Sequence, residues 1–155
     1  MSDTTPFRHA KADDSPGFLL WKITALWQQK LAQVLTAHGI TQTQYAILAS
    51  LRWFEEQGEP PHQAHLALHT RMDKMTLSKA LRRLEDQGLV RRRPSRDDSR
   101  AMEVAFTARG RRLIPQAVMD IETADAEFFG CLGVEDLATY QALTAALIAG
   151  NTRVG

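Results

Sequence analysis

The chain has 155 residues, 44% of them hydrophobic and 24% charged, with a formal net charge of +1. That length supports one domain with a proper core, and a single cysteine, Cys131, excludes an internal disulfide framework and fits a reducing compartment. No apolar run approaches the roughly 18 residues of a membrane span.

Met1 to Pro16 is polar, carries charges of both signs and lacks the apolar stretch of a signal peptide. A mobile tail over 1–16 on a cytoplasmic protein is expected. Ser15-Pro16 then reads as an N-cap followed by proline in the first helical turn. Leu20, Ile23, Trp27, Leu31 and Val34 recur at helical spacing, and His38-Gly39 ends this first helix. Thr41 with Gln44 forms a capping box for a second helix carrying Tyr45, Leu48, Leu51 and Phe54. Pro60-Pro61 is expected to start a short third helix with Ala64, Ala67 and Leu68 inward. A turn through Thr70 and Met72 leads to a fourth helix ending at Gln87-Gly88. Leu89 to Arg93 and Arg100 to Phe106 are extended runs. In the second, Met102, Val104 and Phe106 alternate with Ala101, Glu103 and Ala105, the period-2 mark of a half-buried strand. Pro94 to Ser99 between them is turn chemistry. Thr107 caps a long fifth helix, to be kinked by Pro115, and a last helix carries Leu137, Tyr140, Leu143 and Leu147. The expected fold class is therefore mainly α with a small β-hairpin wing: a winged helix-turn-helix of six helices.

Charge is unevenly spread. Arg71 to Arg112 holds 13 Lys/Arg against 6 Asp/Glu, a net of +7, inside flanks that are net acidic. Such a segment suits a polyanion. On a helical projection of the fourth helix, Leu77, Ala80, Leu81 and Leu84 cluster on one side. Met75, Ser78, Lys79, Arg82, Arg83 and Asp86 lie opposite. A basic face with a small hydroxyl and an exposed methionine fits a major groove. Lys79 and Ser78 reach base edges, Met75 a thymine methyl, and Arg82 and Arg83 phosphates. At the hairpin tip, Arg96 and Arg100 suit a narrow minor groove, with Asp97 and Asp98 near enough to orient a guanidinium. A solvated amphipathic helix and a turn with surface ion pairs are the plain alternatives.

Gln63 to Leu113 resembles the DNA-binding core of the MarR (multiple antibiotic resistance regulator) family. His65-Leu66-Ala67 stands in its "(E)LA" position and Met75-Thr76-Leu77-Ser78-Lys79 in its recognition helix. Leu84-Glu85-Asp86-Gln87-Gly88-Leu89-Val90 matches "LE..GLV", Asp98-Ser99-Arg100 the wing "DxR", and Ala105 to Gly110 the "LT..G" element. Gln42 to Leu51 resembles the family's second helix. The sequence departs from the pattern at His65, usually an acid, at Lys79, often Arg, and at Ser99, often a second Arg. The resemblance implies a regulator, by default a repressor, that dimerises through 17–40 and 108–150 and reads DNA through 41–107. It also implies DNA contacts by Met75, Thr76, Ser78, Lys79, Arg82, Arg83, Arg96, Asp98 and Arg100. Apolar stripes at both ends of the chain independently call for a partner, and a twofold dimer suits a pseudo-palindromic operator.

A small aromatic effector is a further expectation, with Trp21, Trp27, Tyr45 and Trp53 as lining between the dimer helices and the winged part. His62, His65 and His69 share one face, but His62 and His69 are two turns, about 10 Å, apart. One zinc ion with bonds of about 2 Å cannot take all three, so no metal and no cofactor are expected. Cys131 has no basic neighbour in sequence and reads as a packed thiol rather than a redox sensor. No nucleophile–base set and no Gly-rich phosphate loop suggest an enzyme. The alternatives are a winged module that binds a protein without specific DNA binding, and a metal- or redox-responsive form of the regulator.

Overall fold

A computed structural model describes residues 5–58 and 60–152; residues 1–4 of the expected tail lie outside the described residues. Six helices and one hairpin follow in chain order: α1 (Pro16–Thr36), α2 (Gln42–Glu56), α3 (Gln63–Thr70), α4 (Lys74–Asp86), β1 (Val90–Pro94), β2 (Met102–Phe106), α5 (Ala108–Phe129) and α6 (Val134–Thr152). A 3-10 turn at Ala12–Asp14 precedes α1, and Lys22 reaches back to Asp13 at 2.8 Å. The six-helix winged arrangement is as expected from the sequence.

Helix starts follow local chemistry. Ser15 accepts from the Phe18 amide, and Thr41 and Gln44 complete a reciprocal capping box. Thr107 caps α5 by accepting from the Gly110 amide at 3.1 Å, while its hydroxyl donates to the Gly88 carbonyl at 2.5 Å. The expected start of α3 is corrected. Pro61 and His62 are extended, with His62 bridged to Glu103 and the Val104 amide donating to Pro61 O at 3.0 Å. This segment lies along the outer side of β2, and α3 begins only at Gln63. The inward face of α3 shifts accordingly: Leu66 is fully buried, whereas Ala64 and Leu68 are exposed.

β1 and β2 pair antiparallel with Val90 opposite Phe106 and Arg93 opposite Glu103. Val104 and Phe106 point into the core, as the alternation requires. One apolar cluster runs from Leu31 and Leu35 of α1 through Ile47, Leu48 and Leu51 of α2 to Leu77, Leu81 and Leu84 of α4. It continues into Ile114, Ala117 and Ile121 of α5. α5 runs on through the exposed Pro115. α6 has no buried residue among those described, and Leu143, Leu147 and Ile148 are exposed. Cys131 sits exposed in the α5–α6 turn, which corrects the expectation of a packed thiol.

Candidate nucleic-acid interface

The helix-turn-helix is built from α3, a tight turn and α4. Arg71 turns the chain in the left-handed region at φ 58°, a conformation uncommon for a residue with a Cβ. Asp73 then caps α4 twice, accepting from the Thr76 amide at 2.8 Å and the Thr76 hydroxyl at 2.6 Å. These bonds, the hydroxyl's first, hold the Asp73 carboxyl below its ordinary pKa. Thr76 is thus engaged in the cap, which narrows its expected part in DNA contact to the hydroxyl's remaining acceptor capacity.

Leu77, Ala80, Leu81 and Leu84 are buried and hold α4 on the core. The opposite side is open: Met75, Lys79, Arg82 and Arg83 are exposed and Ser78 is half-buried. None of these three cations has a carboxylate partner among the described residues. A face of unpaired cations on a rigidly seated helix presents charge that no neighbour neutralises.

The wing is tied down at its base. Arg92 binds Glu85 of α4 at 2.6 Å and Gln63 of α3 at 3.3 Å, and Arg93 binds Glu103 across the strands at 3.2 Å. The tip closes on itself through Ser95 N to Ala101 O at 2.8 Å and Ala101 N to Asp98 O at 3.0 Å. The expectation that an aspartate orients a guanidinium here is corrected. Asp98 accepts from the backbone amide of Arg100 at 3.0 Å, so it shapes the turn. Among the described residues Arg96 and Arg100 are exposed and have no carboxylate partner.

Two hollows flank α4. One, between its N-terminus, α3 and the wing, is lined by Gln63, Ala64, Lys74 and Arg100, among others. The other, against the start of α2, is lined by Thr41, Thr43, Thr76, Lys79 and Arg83. Lys74 and Thr43 were not singled out from the sequence, and Thr41 was singled out only as a cap. Their signal was position: each stands in the first turn of a helix or caps it, where free amides favour phosphate.

The four aromatic residues expected to line an effector pocket do not come together. Trp21 is exposed on the outer side of α1. Trp53 is half-exposed at the far end of α2 and stacks on His69, ring centroids 5.2 Å apart. Tyr45 is half-buried, and burial, with the Glu122 and Asp125 carboxylates nearby, pushes its phenol up. Trp27 alone of the four lines a cavity between α1, α5 and α6. The histidines of α3 stack instead of converging: the His62 and His65 rings lie parallel at 5.0 Å, and His65 Nδ1 accepts from the His62 amide. Among the described residues no group of three or more His, Cys, Asp or Glu is placed to hold a metal ion.

A buried-faced recognition helix with free cations outward, followed by an arginine-tipped hairpin, defines a winged helix-turn-helix transcription regulator. Residues 38–101 match the sequence model of the MarR family. The HTH-type transcriptional regulator YdcH of Bacillus subtilis is 32% identical over 115 residues, which span 74% of this chain and 78% of YdcH. The HTH-type transcriptional repressor Rv2887 of Mycobacterium tuberculosis is 33% identical over 116 residues, 74% of this chain and 81% of its own length. The crystal structure of CouR from Rhodococcus jostii, bound to p-coumaroyl-CoA, superposes with a TM-score of 0.79 at 25% identity. The match covers 95% of this chain and 100% of that one. The chain belongs to the MarR family.

Proposed function

We propose that this protein is a homodimeric repressor that binds a pseudo-palindromic DNA operator and is released by a small-molecule effector. The observation that carries the DNA half is the open face of α4, where Lys79, Arg82 and Arg83 stand without carboxylate partners above a fully buried apolar face. In this reading Met75, Ser78 and Lys79 meet base edges, with the free side of Thr76 beside them. Arg82 and Arg83 meet phosphates, and Arg96 and Arg100 enter the flanking minor groove while Asp98 shapes the tip. Lys74 and the α2 N-terminus add phosphate contacts on either side. Residues 41–107 form the reading part, and 17–40 with 108–150 form the dimer. The exposed apolar residues of α1 and α6, Leu19, Leu20, Leu143 and Leu147 among them, support that pairing. The naming of Rv2887 as a repressor and the ligand in CouR support repression and effector response. The protein acts in the cytoplasm and catalyses nothing. Among the described residues no helix is long and apolar enough to cross a membrane.

The test is selection from a genomic fragment pool at a series of salt concentrations. Enrichment of a pseudo-palindrome, with affinity falling steeply as salt rises, is expected. Binding with no enriched sequence and no salt dependence would instead favour a winged module that docks on a protein.

A further inference from the structure

The cavity between α1, α5 and α6 measures about 510 Å³, within the roughly 300–1,000 Å³ typical of small-molecule sites. Its walls are apolar and aromatic: Ile23, Trp27, Phe128, Phe129 and Tyr140. Phe129 packs between the other two rings of its group, 5.1 Å from Phe128 and 5.3 Å from Tyr140. Asp125 is the one charged residue in the lining, and no Lys, Arg or His joins it.

The partners along the α1–α5 seam make this carboxylate unusual. Lys22 and Lys30 of α1 bind Asp13 and Glu127, and His38 just past α1 binds Asp120 at 2.7 Å, so the basic groups near this seam each have their own acid. Asp125 has only a neutral donor: Trp27 Nε1 gives its hydrogen to Oδ1 at 2.8 Å. Oδ2 keeps its full acceptor capacity, and the carboxylate has no cationic partner among the described residues. A cation entering the aromatic cup would meet a carboxylate that no basic residue of the lining engages.

We propose that this cavity is the effector site, and that it takes an aromatic or lipophilic organic cation in preference to an anionic acid. The inference rests on the effector half of the function proposed above and gives it a place and a charge. Leu20 and Ile148 at the rim belong to the exposed apolar faces of α1 and α6. A ligand seated there lies against the helices that pair the two copies. Its differential fit to two dimer geometries would alter the spacing of the two recognition helices.

Tetraphenylphosphonium and tetraphenylborate have the same shape and opposite charge, so they separate charge selection from apolar fit. Binding of each to the full-length dimer is measured by calorimetry and by tryptophan fluorescence. The phosphonium is expected to bind at least about tenfold more tightly, a difference of about 1.4 kcal/mol. Asp125→Asn keeps an acceptor for Trp27 Nε1 while removing the charge, and should abolish the preference. Tyr140→Ala should weaken both ions alike. Equal affinity for the two ions, tighter borate binding, or a preference that survives Asp125→Asn would overturn the proposal. Failure of both ions to bind would mean that the cavity is not open to a ligand in the dimer, which also overturns it. Operator binding is measured in parallel by mobility shift. A ligand-blind dimer that still binds its operator defeats the cation site alone. A dimer that binds ligand but no DNA defeats the function on which it rests.

Discussion

Single atoms set some of the tightest constraints. A Cβ added at Gly110 would stand 2.0 Å from the Leu89 carbonyl oxygen and 2.9 Å from its carbon. Both are backbone atoms at the junction of α4 and β1, so the obstruction cannot rotate away. Gly110→Ala is expected to cost about 3 kcal/mol, at the upper end for overpacking, read as a lower urea midpoint at unchanged slope. An unchanged midpoint would mean that α5 does not approach Leu89 this closely. Asp73 makes a prediction in pH. Its folded pKa lies below its ordinary 3.8 because Thr76 donates to the carboxylate. A depressed carboxyl pKa stabilises the fold above the unfolded value, and that contribution is lost as pH falls through the folded value. Asp73→Asn retains an acceptor for the cap but cannot titrate. The stability gap between wild type and Asp73→Asn should be flat above about pH 5 and should close below 3.8. A gap constant across that acid range would remove Thr76 as the cause. Lys79, exposed and outside the core, is expected to act on DNA rather than on the fold. Lys79→Ala should lower the preference for operator over random DNA by about 1–3 kcal/mol if it reaches a base edge, while melting as wild type does. An equal loss on both DNAs would reassign Lys79 to phosphate.

At the scale of elements, the wing matters as a rigid arm. Arg92 joins it to α4 and α3 at once, and Arg100 stands exposed in its loop. A tip arginine is useful only if its base is fixed. Loss of the Arg92 tether should therefore diminish what Arg100 contributes. The double-mutant cycle of Arg92→Ala with Arg100→Ala on operator affinity should show a coupling of about 0.5–3 kcal/mol, and strict additivity would show that the two act separately. Elements with strong local signals were legible in the sequence. The Thr41–Gln44 box, the period-2 run at Met102–Phe106 and the two faces of α4 all stand where the pattern put them. α3 was misphased because eight residues give barely two turns, too few for a stripe to define a face. Pro60-Pro61 looked like a helix start because proline is common there, but the pairing of Pro61 and His62 with the wing overrode that local preference. The cationic face of α4 was readable since free cations on one helix side are a local pattern. The cavity proposed as an effector site was not, because Trp27, Asp125, Phe128 and Tyr140 meet only through the tertiary arrangement of three helices.

For the whole molecule, the arrangement poses a problem that a second copy solves. α6 runs for 19 residues with none buried. The first turns of α1 likewise expose Phe18, Leu19, Leu20 and Trp21. Surfaces of this kind are rare on a monomer and normal at an obligate interface. The core that supports the reading head lies elsewhere, in the cluster from Leu31 to Ile121, and contains no residue of α6. Dimerisation and the folding of the winged part should therefore be separable. Leu143→Glu with Leu147→Glu places charge on the exposed apolar side of α6 without touching that cluster. Sedimentation should show a monomer whose far-ultraviolet circular dichroism retains its helices. Each monomer would present one recognition helix to one half-site, so the gain from tethering two contacts disappears. Operator affinity is expected to fall by about 100-fold or more, with a salt dependence roughly half as steep, since about half as many phosphates are neutralised. A double variant that stays dimeric would place the interface elsewhere. A monomer that keeps full operator affinity would show that one winged head suffices, and the twofold reading of the operator would fall with it.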